Sequence, residues 1–177
     1  MTWEFHFLDH IQHAIQSPFL DRIMPFLSAL ADSGFIWIVL TIILLCIKKY
    51  RHIGQASAIS LIFMFLVGHV LLKPLVARPR PFDVNTAIQL LIEAPKDFSF
   101  PSGHTFASFA CAFTLLPKDR RLGIPALVLA VLIAFSRMYL YVHYPTDVLG
   151  GILLGLMAAL FARWLTPKLF PGSSLDQ

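Results

Sequence analysis

The chain has 177 residues, of which 57% are hydrophobic and 14% are charged, and its mean hydropathy is +0.72. A soluble domain usually carries about 25% charged residues, so this composition excludes an ordinary soluble protein and indicates an integral membrane protein. The formal charge of +4 comes from small basic groups at the ends of apolar runs, and therefore does not predict nucleic-acid binding. The length fits one helical domain.

Five apolar runs follow one another along the chain and predict membrane helices. They cover residues 35–47, 53–72, 102–116, 122–139 and 147–162. The second run has 20 residues without Lys, Arg, Asp or Glu, which is the length that crosses about 30 Å of hydrocarbon. The predicted fold class is therefore all-α, a polytopic transmembrane bundle of five to six membrane helices within residues 34–166. Gly151 and Gly155 in the last run permit close helix packing inside this bundle.

The two ends of the chain are less apolar. Residues 1–33 are predicted to form N-terminal interfacial or half-membrane helices, with 19–31 as a half-helix or a tilted helix. Residues 167–177 are expected to be a C-terminal tail, and a short surface helix is expected over 86–93. Both cysteines, Cys46 and Cys111, fall inside apolar runs, which favours small buried residues over metal ligands.

The basic residues between the runs predict the topology. One face of the membrane receives a set of them: Lys48, Lys49, Arg51, Lys118, Arg120, Arg121, Arg163 and Lys168. By the positive-inside rule that face is cytoplasmic. We therefore expect a multi-pass protein of the cell membrane whose loops 73–101 and 140–146 lie on the extracytoplasmic face.

The stretch SRMYLYVHYPTD, residues 136–147, places charged residues between two apolar runs. Charges so close to hydrocarbon cost several kcal/mol unless they are paired or functional. With Thr146 as the cap of the last helix, Asp147 lies in its first turn and reaches a ring nitrogen of His143, four residues earlier. The other nitrogen is then free to act as a base, a nucleophile or a metal ligand. Arg137 has the planar fork that suits a phosphate, although an incidental ion pair in a polar loop would also explain the stretch.

A second motif on the same predicted face is PSGHT, residues 101–105. Ser102 is a suitable helix cap, Gly103 lets a ligand approach the backbone, and His104 lies in the first turn. The N-terminus of a helix offers free amide groups and a partial positive charge, so it favours an anion.

A third motif, KPLVARPRP, residues 73–81, adds cations to that face. Lys73 by itself is better explained as a membrane anchor, and Arg78 competes with Arg80 because both precede a proline. Since all three motifs meet on one face, the residues favour a phosphate site that contains a nucleophile and an acid.

These motifs at their spacing resemble the type-2 phosphatidic acid phosphatase family, integral membrane lipid phosphatases related to vanadium-dependent haloperoxidases. The first is Lys73, six residues, then Arg80-Pro81; the second is Pro101-Ser102-Gly103-His104. The third is Ser136-Arg137, five residues, His143, three residues, Asp147. The resemblance covers roughly residues 35–162.

The resemblance implies a role for each motif residue. His143 attacks phosphorus and forms a phosphohistidine, Asp147 orients it, and His104 protonates the leaving oxygen. The phosphoryl oxygens are held by Lys73, Arg80, Ser102, Gly103 and Arg137. No metal and no cofactor is expected, the partners are a lipid phosphate substrate and membrane lipids, and the oligomeric state is left open.

The predicted topology bears on the substrate. An extracytoplasmic site in this family favours hydrolysis of undecaprenyl pyrophosphate to undecaprenyl phosphate and phosphate. Phosphatidylglycerophosphate or phosphatidate is the alternative substrate. A non-catalytic anionic-lipid binder or transporter is an alternative of another class, but it would need the cations and not the trio of His143, His104 and Asp147.

Overall fold

The computed structural model describes residues 3–171, which contain helices and no strand. The α-helices are α1 Trp3–Ala14, α2 Leu20–Leu30, α3 Phe35–Cys46, α4 Arg51–Met64, α5 Lys73–Val76, α6 Pro81–Val84, α7 Gly103–Leu115, α8 Arg120–Tyr139 and α9 Pro145–Leu169. A π-helical segment, Phe65–Leu72, joins α4 to α5, and short 3-10 turns, Asp32–Gly34 and Lys48–Tyr50, flank α3. The predicted all-α class is confirmed.

Within residues 3–171, three helical runs are long and apolar enough to cross a membrane: Lys48–Val84, Arg120–Tyr139 and Pro145–Leu169. A fourth candidate is the bent pair formed by Leu20–Leu30 and Asp32–Cys46, whose two parts make an angle of 44°. Many apolar side chains of these runs face outward, as lipid-facing side chains do. The predicted number of five to six membrane helices stays a prediction.

Helix α7 lies in the centre of the bundle. Its 13 residues are about 20 Å long at 1.5 Å per residue, which is shorter than a hydrocarbon layer of about 30 Å. Ten of those residues are buried, and α4, α8 and α9 pack around them. A helix enclosed in this way does not need the length of a lipid-exposed span.

Two glycines of α9 bring its backbone against α7. A Cβ atom at Gly151 would lie 3.0 Å from the carbonyl oxygen of Ser102, and one at Gly155 would lie 2.8 Å from Cβ of Phe109. Neither position has room for a side chain without displacing the neighbouring helix. The glycine pair thus acts inside the bundle, as the sequence predicts.

The N-terminal helices cover the segment between α8 and α9. Leu8 of α1 packs against Tyr141 and Tyr144, and Ile11 of the same helix packs with Met24 of α2. Trp3 and Phe7 of α1 are exposed. This amphipathic arrangement fits an interfacial helix, while the division of the chain after residue 33 stays a prediction.

Three local expectations are wrong. No helix forms over 86–93, because Ile88, Leu90 and Ile92 alternate with the period of an extended chain and pack against the buried tyrosines. Cys46 is exposed although Cys111 is buried. The predicted tail 167–177 begins inside α9, and its residues 172–177 lie outside the described part of the chain.

Candidate active site

A cavity of about 820 Å³ opens at the N-terminal end of α7. Six of the eight predicted site residues line it: Lys73, Arg80, Gly103, His104, Arg137 and His143. The other two, Ser102 and Asp147, are fully buried behind the cavity wall. The structure therefore brings the three sequence motifs together around one space.

The imidazole of His143 is buried in the segment between α8 and α9, not on the surface loop that its position between apolar runs indicates. Its Nε2 lies 3.2 Å from Nη1 of Arg80. A guanidinium only donates hydrogen bonds, so Nε2 carries the lone pair and Nδ1 carries the hydrogen. Burial, followed by the positive charges of Arg80 and Arg137, holds the pKa of His143 well below its usual value. The ring is thus kept neutral, with a free electron pair on Nε2.

Asp147 lies on the Nδ1 side of that ring. Its Oδ2 is 3.5 Å from Nδ1 of His143, and it accepts hydrogen bonds from the Ser99 hydroxyl at 2.5 Å and from the Tyr144 amide at 2.9 Å. The amide contact shows that Tyr144, rather than Thr146, is the N-cap residue of α9. Asp147 is in the first turn, as predicted, and its contacts fix the carboxylate beside the imidazole.

The two arginines of the first motif have separate positions. Nη1 of Arg80 also donates to the Val142 carbonyl at 2.7 Å, which fixes the fork against the His143 backbone. Arg78 points away from the cavity, and donates to Oδ1 of Asp147 at 2.6 Å and to Glu4 of α1 at 2.6 Å. Arg78 therefore neutralises the buried carboxylate, and Arg80 is the arginine on the cavity wall.

A carboxylate that the motifs do not contain bridges the cations of the first motif. Asp97 accepts hydrogen bonds from Lys73 Nζ and from Arg80 Nη2. Burial acts to raise the pKa of the Asp97 carboxyl, but its bonds to Lys73 and Arg80 outweigh this and hold that pKa well below its usual range. An anionic group thus occupies the position between the two cations that the family resemblance assigns to a phosphoryl group.

The N-terminus of α7 supplies the second motif. Ser102 is at the N-cap position, but its side chain does not cap the helix, and its Oγ instead accepts a hydrogen bond from Thr105 at 3.0 Å. The Ser102 amide donates to the Asp147 carbonyl at 3.2 Å, which ties the second motif to the third. A Cβ at Gly103 would lie 2.9 Å from Nε2 of His69, so glycine allows that ring to pack there.

Sequence reasoning did not find several side chains that hold the site. They are Glu4, Ser28, Asp32, Asp97 and Ser99. The sequence does indicate that acidic partners are needed, because Lys73, Arg80 and Arg78 enter a poorly solvated region and require counter-charges. No sequence pattern indicates which carboxylate meets which cation, since these contacts join segments far apart in the chain. Among residues 3–171, no group of three or more His, Cys, Asp or Glu side chains is placed to hold a metal ion.

Comparison with known proteins shows the family. The model of the PAP2 superfamily matches residues 49–171. The chain belongs to the PAP2 superfamily. The match includes all three motifs and leaves α1, α2 and α3 outside it, and it confirms the resemblance seen in the sequence.

Several relatives are lipid phosphatases by name. The chain is 38% identical over 137 residues to an undecaprenyl-diphosphatase of Sulfolobus acidocaldarius, covering 77% of this chain and 66% of the relative. It is 32% identical over 150 residues to undecaprenyl-diphosphatase BcrC of Bacillus subtilis, covering 82% and 75%. The crystal structure of a transmembrane PAP2-type phosphatidylglycerolphosphate phosphatase from Bacillus subtilis superimposes with a TM-score of 0.72 at 28% identity, covering 92% and 84%. These likenesses support a membrane-bound lipid phosphate hydrolase.

Proposed function

We propose that the protein removes the terminal phosphate from undecaprenyl pyrophosphate, giving undecaprenyl phosphate and inorganic phosphate, at the extracytoplasmic face of the cell membrane. The observation that carries the proposal is the contact between Nε2 of His143 and the guanidinium of Arg80 on the wall of the cavity. It places an unprotonated nitrogen beside a fork that matches phosphoryl oxygens.

The reaction has two steps. In the first, the Nε2 lone pair of His143 forms a bond to phosphorus, the bond from phosphorus to the bridging oxygen breaks, and His104 gives its proton to that oxygen. In the second, water attacks the phosphohistidine, gives its proton to His104, and releases phosphate and His143. Asp147 stabilises the positive charge that develops on the ring during attack.

The cations explain how the charge of the substrate is accommodated. Lys73, Arg80 and Arg137 surround the cavity, and the first amides of α7 point toward it from Gly103. Because phosphoryl transfer needs mostly positioning and electrostatic stabilisation, these donors are sufficient for substantial catalysis. A substrate phosphate has to replace the Asp97 carboxylate between Lys73 and Arg80.

Phosphatidylglycerophosphate is the second candidate substrate, favoured by the 28% identity to the phosphatidylglycerolphosphate phosphatase structure. The undecaprenyl assignment is preferred because two relatives bear that activity in their names, and because the charge distribution predicts an extracytoplasmic site.

The test is phosphate release by the purified protein in detergent from undecaprenyl pyrophosphate, phosphatidylglycerophosphate and phosphatidate at equal surface concentration. We expect the highest kcat/KM for undecaprenyl pyrophosphate. A higher value for either phospholipid would replace the substrate assignment, and no release from any of them would leave a lipid binder or transporter.

The nucleophile is tested with the variant His143→Gln, which keeps a polar group beside Arg80. We expect a loss of roughly a thousandfold or more in kcat, as for removal of other nucleophiles. The matched control is His69→Gln, another histidine of the cavity wall, which should lose less than about tenfold. Retention of more than about a tenth of the activity by His143→Gln would overturn the role of His143.

A further inference from the structure

The turn between α2 and α3 lies outside the segment that matches the PAP2 model, and yet it forms part of the cavity wall. It consists of Asp32–Gly34, in which Ser33 and Gly34 have left-handed backbone angles, φ 53° and φ 73°. These two residues bend the chain between α2 and α3, and Asp32 lines the cavity with a largely exposed side chain. The neighbouring helix α2 also reaches the site, because the Ser28 hydroxyl accepts a hydrogen bond from Arg137.

Asp32 makes a direct contact with the second motif. Its Oδ1 lies 2.7 Å from Nε2 of His104, which is a hydrogen-bond distance. The histidine is mostly buried and the carboxylate is largely exposed, with side-chain exposures of 18% and 66%. A carboxylate accepts hydrogen bonds only, so Nε2 of His104 carries a hydrogen, and Nδ1 is the ring atom left for the substrate.

The other charged groups near His104 are cations. Arg137 of α8 and Lys73 of α5 face it, and His69 of the π-helical segment and His143 lie on the same cavity wall. Burial of the ring and these positive charges oppose a second proton on the imidazole, and the hydrogen bond to the carboxylate of Asp32 acts against them by favouring it. Among the described residues, Asp32 is the acidic group that is hydrogen-bonded to His104.

We infer that Asp32 is the positioning residue for the leaving-group step: it holds the His104 ring through Nε2 and stabilises the imidazolium whose Nδ1 proton passes to the departing oxygen. The inference rests on the proposed function, since it assigns the acid role to His104. As the bond between phosphorus and the bridging oxygen breaks, the electron pair goes to that oxygen, the Nδ1 proton follows, and His104 becomes neutral. Asp32 keeps its charge throughout.

This inference is tested with two substrates, only one of which needs a proton on its leaving group. p-Nitrophenyl phosphate and p-nitrobenzyl phosphate transfer the same phosphoryl group from leaving groups of similar shape. Nitrophenolate departs without a proton, whereas the benzyl alkoxide needs one. Both give the same phosphohistidine, and kcat/KM reports the steps up to its formation, so the ratio of the two values measures acid assistance.

For Asp32→Asn we expect kcat/KM for p-nitrobenzyl phosphate to fall by about tenfold to a hundredfold, the range of partial loss of a general acid. The value for p-nitrophenyl phosphate should change by less than about threefold, which also shows that the variant is folded. Asp32→Glu, which restores a carboxylate, should recover part of the loss. The matched control is Ser33→Asn at the exposed position next to Asp32. Ser33 has a left-handed backbone angle, which asparagine tolerates.

Equal losses for the two substrates in Asp32→Asn, or no loss for either, would show a contact that is structural only and would overturn the inference. The proposed function would stand in that case, provided that the wild-type protein releases phosphate from the lipid substrates. Its failure is seen separately, as a wild-type protein that hydrolyses none of the lipids.

Discussion

The guanidinium of Arg80 lies 3.2 Å from Nε2 of His143, and the same Nη1 atom is bonded to the carbonyl of the preceding residue, Val142. In the proposed reaction, a phosphoryl group that passes to Nε2 would therefore be within reach of the fork before and after the transfer. We therefore expect substitution of Arg80 and substitution of Arg78 to have different effects on activity.

Arg80→Lys keeps the charge but loses the planar fork, so we expect kcat/KM for the lipid substrate to fall by about a hundredfold. Arg78→Lys is the matched control, since Arg78 contacts Asp147 and Glu4 behind the cavity wall, and it should lose no more than about tenfold. Phosphate release measures both variants. A larger loss in Arg78→Lys than in Arg80→Lys would reverse the assignment of the phosphate-binding arginine.

The Asp97 carboxylate occupies the position between Lys73 and Arg80 that the proposal gives to phosphate, so its removal should strengthen the binding of inorganic phosphate. For Asp97→Asn we expect the inhibition constant of phosphate to fall by roughly tenfold, equivalent to about 1.4 kcal/mol. Glu93→Gln makes the same chemical change in the same loop, at a cavity-lining side chain that is 89% exposed and paired with Lys96, and should lower the constant much less. An unchanged or higher constant in Asp97→Asn would contradict a competing carboxylate.

The depressed pKa of His143 predicts how activity varies with pH. A group whose pKa is lowered stays neutral until the pH falls through that lower value, so the acidic limb of kcat/KM due to His143 should lie below pH 6.5. The profile should be measured with two substrates whose phosphate groups ionise at different pH. An acidic limb that comes from the enzyme is the same for both substrates, whereas one that comes from substrate ionisation differs between them. A common limb at or above pH 6.5 would be inconsistent with a neutral, buried nucleophile.

The predicted topology is tested by thiol labelling of intact cells in a variant that lacks Cys46 and Cys111. Cysteine at position 93, introduced as Glu93→Cys in the exposed loop between the first and second motifs, should react with a membrane-impermeant reagent. Cysteine introduced as Arg120→Cys, at the exposed start of α8, should react only after the cells are permeabilised. The reverse pattern would place the site on the cytoplasmic face and favour the phospholipid substrates.

Much of the site can be predicted from the sequence because its residues are confined to three short motifs beside apolar runs. The helix N-terminus before His104 and the spacing of His143 and Asp147 are local features, and local features follow from chain geometry. The family spacing selects Arg80 rather than Arg78 as the arginine of the first motif, and the structure places Arg80 on the cavity wall beside His143.

The counter-charges could not be predicted in the same way. Asp32 meets His104 across 72 residues of chain and Glu4 meets Arg78 across 74, so both contacts depend on how separate helices pack. The expected helix over 86–93 failed because burial of alternate side chains against the tyrosines outweighs local helix propensity. The packing of α1 and α2 on the residues that flank His143 is a further long-range feature, which hydropathy alone does not indicate.

The contact of Gly151 with the carbonyl oxygen of Ser102 has a consequence for how this sequence can change. Gly151 lies one helical turn after Asp147, and Ser102 lies two residues before His104, so a single backbone contact sets the spacing of Asp147 and His104. A methyl group there would separate the second and third motifs without altering any charged group. The buried contact between α7 and α9 is therefore constrained by the geometry of the candidate site, and tolerance to substitution along α9 should follow distance from α7 rather than hydrophobicity.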